Sequence, residues 1–189
     1  MLEQEREFNS NMKYFDELKR SMNYIASKSD TIFIGQAVEY PGTAMTNTLS
    51  DVNEDKLIEF PVTEEFQMGA SIGLAMGGYV PVTIYPRWNF LILAVNQVVN
   101  HLDKMKEISN NSLLPKVIIR TGIGSERPLH PQHQHIGDFT EAFKLMATNL
   151  EIIRLEEPED IYPAYQNAYD RDDGVSSIII EYGDYYSEK

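Results

Sequence analysis

Glu64 is the residue of this chain best placed for acid–base chemistry. It follows a short apolar run, Leu57–Val62, and opens a run of small residues, Glu64–Gly77. A carboxyl at a strand-to-helix junction sits where the helix macrodipole favours negative charge. Glu65 shares that first turn, and Thr63 before them reads as an N-cap. Taken alone, Glu64 also fits a plain first-turn acid. The glycines behind it need a separate reason. Gly69, Gly73 and Gly77 recur every four residues and so share one helix face. Glycine inside a helix costs about 1 kcal/mol relative to alanine. Close approach of another backbone supplies the reason, from a partner helix or from a sheet in the same chain.

The second group is His130, His133 and His135, inside Gly122–Gly137, a segment punctuated by glycine and proline. Such a loop is a natural place for reacting groups. The histidines read as a proton-transfer residue, as satisfied loop histidines, or as metal ligands. Their spacing matches no standard zinc pattern, and a fourth ligand is not evident. No cysteine occurs, which excludes disulfides and Cys-ligated metal clusters.

The elements that must position these residues alternate in type. Met12–Lys28 has an amphipathic helical stripe, Met12, Phe15, Leu18, Met22 and Ile25. Short apolar runs at Thr31–Gly35, Leu57–Val62, Pro81–Tyr85, Lys116–Thr121, Glu151–Leu155 and Ser176–Tyr182 read as buried strands. Between them, Glu64–Gly77, Asn89–Ile108, Asp138–Ala147 and Pro158–Tyr169 read as helices. Tyr40–Asp55 reads as a long loop. This alternation predicts a single α/β domain over 1–189, with a doubly wound, mostly parallel sheet and helices on both faces. Ligands of such sheets sit at the strands' carboxyl ends. The net charge of −13, with no basic stripe, excludes nucleic acid as a partner. No run approaches the ~20 apolar residues of a membrane span. The acidic, polar Met1–Asn9 does not read as a secretory signal, so the expected compartment is cytoplasmic.

Glu64-(x)4-Gly69-Ala70-x-x-Gly73 resembles the signature of pyrimidine-binding domains in thiamine-diphosphate enzymes. The wider pattern is similar to the β subunits of transketolase-like 2-oxoacid dehydrogenase E1 components. Ile34-Gly35-Gln36-Ala37-Val38, Pro61-Val62-Thr63-Glu64, Ile72–Gly78, Pro81-Val82, Trp88-Asn89-Phe90, Asn96–Asn100, Ile119–Thr121, Ile123-Gly124 and Pro131-Gln132-His133 match in order over roughly residues 10–183. The resemblance implies that Glu64 hydrogen-bonds the cofactor's pyrimidine nitrogen. That favours the imino tautomer, which deprotonates the thiazolium and allows decarboxylation of a 2-oxo acid. It implies that Phe90 packs on the aminopyrimidine, with Trp88 nearby, although core packing suits both aromatics too. Gln36 stands where the family often has a pocket-lining glutamate. His133 matches a loop histidine that acts on the reaction intermediate or its transfer.

No Gly-Asp-Gly occurs; Gly137-Asp138-Phe139 and Gly183-Asp184-Tyr185 are the nearest sequences. The resemblance therefore implies that Mg2+ and the diphosphate are held by an E1 α-like subunit bearing that motif, in an α2β2-like heterotetramer. Self-association is expected through the Gly69/Gly73/Gly77 helix. Three departures stand out: Gln36 for glutamate, Phe66 where the family usually has glycine, and no counterpart of the family's C-terminal domain before Lys189. The Met1 start and the tail lead to the expectation of a naturally short protein. Three readings follow: an E1 β-type subunit, inactive alone; the pyrimidine subunit of a split thiamine-diphosphate decarboxylase or carboligase; and a non-catalytic scaffold.

Overall fold

The computed structural model describes residues 12–40, 43–127 and 130–188; the Met1–Asn9 reading, and parts of the Tyr40–Asp55 and Gly122–Gly137 segments, lie outside them. Six strands form one sheet: β1 Thr31–Gly35, β2 Leu57–Glu59, β3 Val80–Tyr85, β4 Ile118–Ile123, β5 Glu151–Leu155 and β6 Ser177–Tyr182. Their order is β2-β1-β3-β4-β6-β5, and every neighbouring pair is parallel. All carboxyl ends therefore lie at one edge of the molecule. β3 and β4 are buried along their whole length, so their sequences do not alternate apolar with exposed polar residues; the polar side chains they carry, Thr83, Arg120 and Thr121, are buried too.

The longer helices are α1 Tyr14–Ala26, α2 Glu64–Met76, α3 Thr140–Met146 and α4 Pro158–Asp170. α1 and α4 pack on one face of the sheet. Tyr14, Leu18, Met22 and Ile25 of α1 meet Ile161, Ala164, Tyr165 and Ala168 of α4 in a core that also takes Val82, Ile118 and Ile179. The other face carries α2 and α3, with Met68, Ile72, Trp88, Leu91, Val98 and Phe143 over Ile119, Ile178 and Ile180. Ile118 and Ile119 thus enter opposite cores, as the period of a strand requires.

The expected continuous helix Asn89–Ile108 is instead segmented. An α-turn Trp88–Leu91 passes through a 3-10 turn, Ile92–Ala94, into a π-helical stretch, Gln97–Leu102, and resumes as Met105–Ile108. The Asp103 amide donates to Val98 O, five residues back, at 2.9 Å. The extra residue in that turn still leaves Leu91, Val98 and Leu102 in the core, so the apolar stripe survives the irregularity.

β1 lies between β2 and β3, so the chain leaves β1 in one direction and returns past it to β3. The carboxyl ends of β1 and β3 flank that reversal, which is where open α/β sheets place their ligands. The two strands come close there. A Cβ at Gly35 would lie 2.5 Å from Ile84 O, so only glycine fits.

Candidate functional site

Glu64 opens α2 at this crevice and is buried, with 4% exposure. Thr63 does not cap the helix with its side chain; its hydroxyl donates back to Pro61 O at 3.3 Å. The position of Glu64 is set by its neighbours instead. Tyr85, the last residue of β3, donates its hydroxyl to Glu64 O at 3.0 Å. Burial pushes that phenol up from its ordinary value, so it stays a donor. One turn along α2, the fully buried Gln67 donates to Thr83 Oγ1 at 2.9 Å and Ile84 O at 3.0 Å, tying the helix to β3.

Gln36, in the loop after β1, meets Glu64: its Nε2 donates to Glu64 Oε1 at 3.4 Å. Glu59, the last residue of β2, holds that loop. Its carboxylate accepts from the successive amides of Ala37, Val38 and Glu39 at 2.7, 2.8 and 3.0 Å. Ala37 has a φ of 53°, uncommon for a residue with a Cβ, and the three bonds make that conformation tenable. The departure at Phe66 is accommodated outward. The ring is 62% exposed and leans on Phe60, centroids 5.4 Å apart.

The aromatic pair separates. Trp88 has 0% exposure and packs on Phe143, centroids 4.6 Å apart, so it offers no face to a bound ring. Phe90 is only partly buried and meets His135 at 5.6 Å. His133, in the exposed 3-10 turn His133–His135, lies 6.2 Å from the His130 ring. His130 faces the Glu126 carboxylate at 3.2 Å. Among the described residues, no group of three or more His, Asp or Glu is arranged to hold a metal ion. The two Gly-Asp pairs have local partners. Asp138 Oδ1 accepts from Thr140 N at 3.0 Å at the start of α3. Asp184 Oδ1 accepts from Glu126 N and Arg127 N.

The glycine face of α2 is open. A Cβ at Gly69 or Gly73 would meet nothing within 4 Å, whereas Gly77 ends the helix against Leu74 O. Among the described residues no sheet fills that groove, so close packing within the sheet is not what the glycines serve there. Val62 (75%), Phe66 (62%) and Met76 (50%) flank it in exposed positions, and Leu93 (59%) is a further exposed apolar residue in the 3-10 turn that packs beside α2. Between Glu65 and Asp103 the only Asp, Glu, Lys or Arg is Arg87. In so acidic a chain, that interval is unusually free of charge.

A buried carboxyl beside an amide thus lies at the reversal point of a parallel sheet, at the start of a helix whose glycine face is open. The chain belongs to the transketolase pyrimidine-binding domain family, whose profile matches residues 12–186. It is similar to the pyruvate dehydrogenase E1 component subunit beta of Leifsonia xyli subsp. xyli, 29% identical over 126 residues. It is also similar to the 2-oxoisovalerate dehydrogenase subunit beta of Bacillus subtilis, 26% over 117 residues. The 3-methyl-2-oxobutanoate dehydrogenase subunit beta of Mycobacterium tuberculosis is 27% identical over 145 residues. These matches cover 67%, 60% and 73% of this chain but only 36%, 36% and 40% of the relatives. The chain thus spans well under half the length of the curated relatives it matches. No helix of the described residues is long and apolar enough to cross a membrane.

Proposed function

We propose that the chain is the β-type, pyrimidine-binding subunit of a thiamine-diphosphate-dependent 2-oxoacid dehydrogenase or decarboxylase. The observation that carries this reading is the buried Glu64 carboxyl. Among the described residues its one side-chain partner is Gln36, through a single long bond, so the carboxyl keeps capacity to accept further hydrogen bonds. Buried groups of that kind are rarely left so, and a heterocyclic nitrogen is a fitting partner. The residues present therefore fit the aminopyrimidine half of the cofactor.

In this reading Glu64 holds the pyrimidine nitrogen, Gln36 steadies the Glu64 carboxyl, and Phe90 presents the ring face. His133, on its exposed turn, handles a proton or the leaving acyl group at the far side. When bound, the cofactor supplies the carbon nucleophile that 2-oxo acid decarboxylation needs; the protein supplies orientation and one placed acid. Gln36 is a neutral amide, so it can orient Glu64 but cannot take up a proton as a carboxylate would.

The diphosphate and its Mg2+ fall to an α-type subunit carrying Gly-Asp-Gly, and the open glycine face of α2 serves assembly, including pairing with a second copy. The freedom from charge around that face supports burial there, since interface cores are depleted of charge. The test is Glu64→Gln in the complex reconstituted with the α-type partner. Turnover of a 2-oxo acid should fall at least about 100-fold, while sedimentation shows the assembly intact. Retained turnover removes Glu64 from its role; lost assembly makes it structural.

A further inference from the structure

The His133 turn is held in place by side chains reaching in from two other elements. Arg87 follows β3 directly after Pro86, and its half-buried guanidinium is received by three backbone carbonyls. Nη1 donates to Gly124 O and to His135 O, both at 2.9 Å, and Nη2 donates to Ser125 O at 3.3 Å. Gly124 and His135 stand at opposite ends of the histidine loop, so one side chain closes its neck. From the other side, Asp184, just past β6, accepts from the amides of Glu126 at 2.9 Å and Arg127 at 3.1 Å. Asn89 Oδ1 takes the Gly137 amide at 3.3 Å.

These ties hold a backbone that would not keep its shape unaided. Gly124, Ser125 and Gln132 have φ values of 69°, 57° and 70°, and two of the three carry a Cβ. Such residues persist at positive φ only where their surroundings enforce it. Gln132 directly precedes His133, so the enforced geometry fixes where that imidazole points. A guanidinium suits the task because its donors lie in one plane with fixed directions; an ammonium cannot reproduce that fork.

We propose that Arg87, assisted by Asp184, is the positioning residue for His133: it closes the loop's neck and presents the histidine turn beside Phe90 in a single geometry. This rests on the reading of His133 as the reacting loop histidine. The Arg87 guanidinium is engaged by the loop's own carbonyls, so it acts through the loop. The cost of Arg87 removal is therefore expected in turnover more than in cofactor affinity.

Two measurements test it. The first is amide hydrogen exchange on the full chain, comparing wild type with Arg87→Met, Arg87→Lys and Asp184→Asn. Exchange at 124–127 and 132–137 should rise at least about 10-fold in Arg87→Met, less in the other two, while amides of β4 and β6 keep their protection. Unchanged exchange in the loop overturns the proposal, as does equal acceleration throughout the sheet. Should Arg87→Met not fold, the Lys and Asn variants carry the same comparison. The second uses the reconstituted complex with thiamine diphosphate, and with pyruvate and 3-methyl-2-oxobutanoate as probe substrates. Arg87→Met should lower kcat about 100-fold with little change in KM for the cofactor. In a His133→Ala background it should lower kcat no further; losses that multiply overturn the positioning role. If wild type turns over neither probe, the 2-oxo acid reading fails, and the exchange experiment alone decides whether Arg87 closes the neck.

Discussion

The two faces of the sheet are finished differently. The face under α1 and α4 closes on a buried polar network. Arg120 Nε and Nη2 donate to Glu181 at 2.6 and 2.9 Å with both side chains fully buried, and the Tyr165 and Tyr186 hydroxyls bond the same carboxylate. Tyr14 ties that cluster to the edge strand, donating to Leu155 O at 2.8 Å and accepting from Tyr182 N at 3.0 Å. The face under α2 has an apolar core and then stops, leaving Phe66, Met76 and the glycine groove exposed. Among the described residues, helices and this network cover the first face, with only Arg120 Nη1 of the pair left unbonded; the other face has the character of a surface awaiting cover. The contrast suggests that stability and assembly are encoded on opposite sides of one sheet.

Three experiments break or sharpen that contrast. The largest effect is expected from Arg120→Met, which leaves the Glu181 carboxylate buried without its cation. A loss of about 3–5 kcal/mol in urea unfolding is expected. The double variant Arg120→Met/Glu181→Leu should recover most of it, because a buried ion pair replaced by apolar groups is often near neutral. A single-variant cost within experimental error would mean that the network does not finish that face.

A smaller effect is expected from alkaline pH. Burial, with Glu181 nearby, holds Tyr165 and Tyr186 well above the ordinary phenol value; Tyr14 is raised for the same reasons, and burial and Asp30 push Tyr169 up to about 12. A raised folded value favours the neutral phenol. The contribution is therefore fully present below about pH 10, the unfolded value, and is lost as pH climbs through the folded ones. The thermal midpoint should be flat from pH 8 to near 10 and then decline. A flat midpoint to pH 12 would show that these phenols do not hold the fold.

The smallest effect on stability is expected from Gly73→Leu. A Cβ at that position meets nothing within 4 Å among the described residues, and helix propensity improves by up to about 1 kcal/mol. The unfolding midpoint should hold or rise slightly, while association measured by sedimentation is lost. A destabilised chain would place the glycine face inside this molecule's own packing; unaffected association would take it out of assembly.

Much of this architecture is legible in the sequence because its signals are local. Thr31–Gly35 and Glu151–Leu155 are strands with the bounds their apolar runs suggest, and α2 begins at Glu64. The Gln36–Glu64 hydrogen bond was not legible, since 28 residues separate the two and no pattern links them. What else could not be read depends on backbone partners. Glu59, Arg87 and Asp184 bond amides or carbonyls of loops distant in sequence, and no spacing announces such contacts. The π-helical turn at Gln97–Leu102 was hidden because the core-facing residues keep their order around it. Whether Trp88 or Phe90 faced outward was equally undetermined, since neighbouring aromatics at a helix start have no period to separate them.

Trp88 is also the only tryptophan in the sequence, and its indole sits dry against Phe143 in the core that adjoins α2 and the histidine turn. The chain therefore carries its own optical reporter. Its intrinsic emission should be blue-shifted in the native state and should move to the red when that core opens, without any attached label.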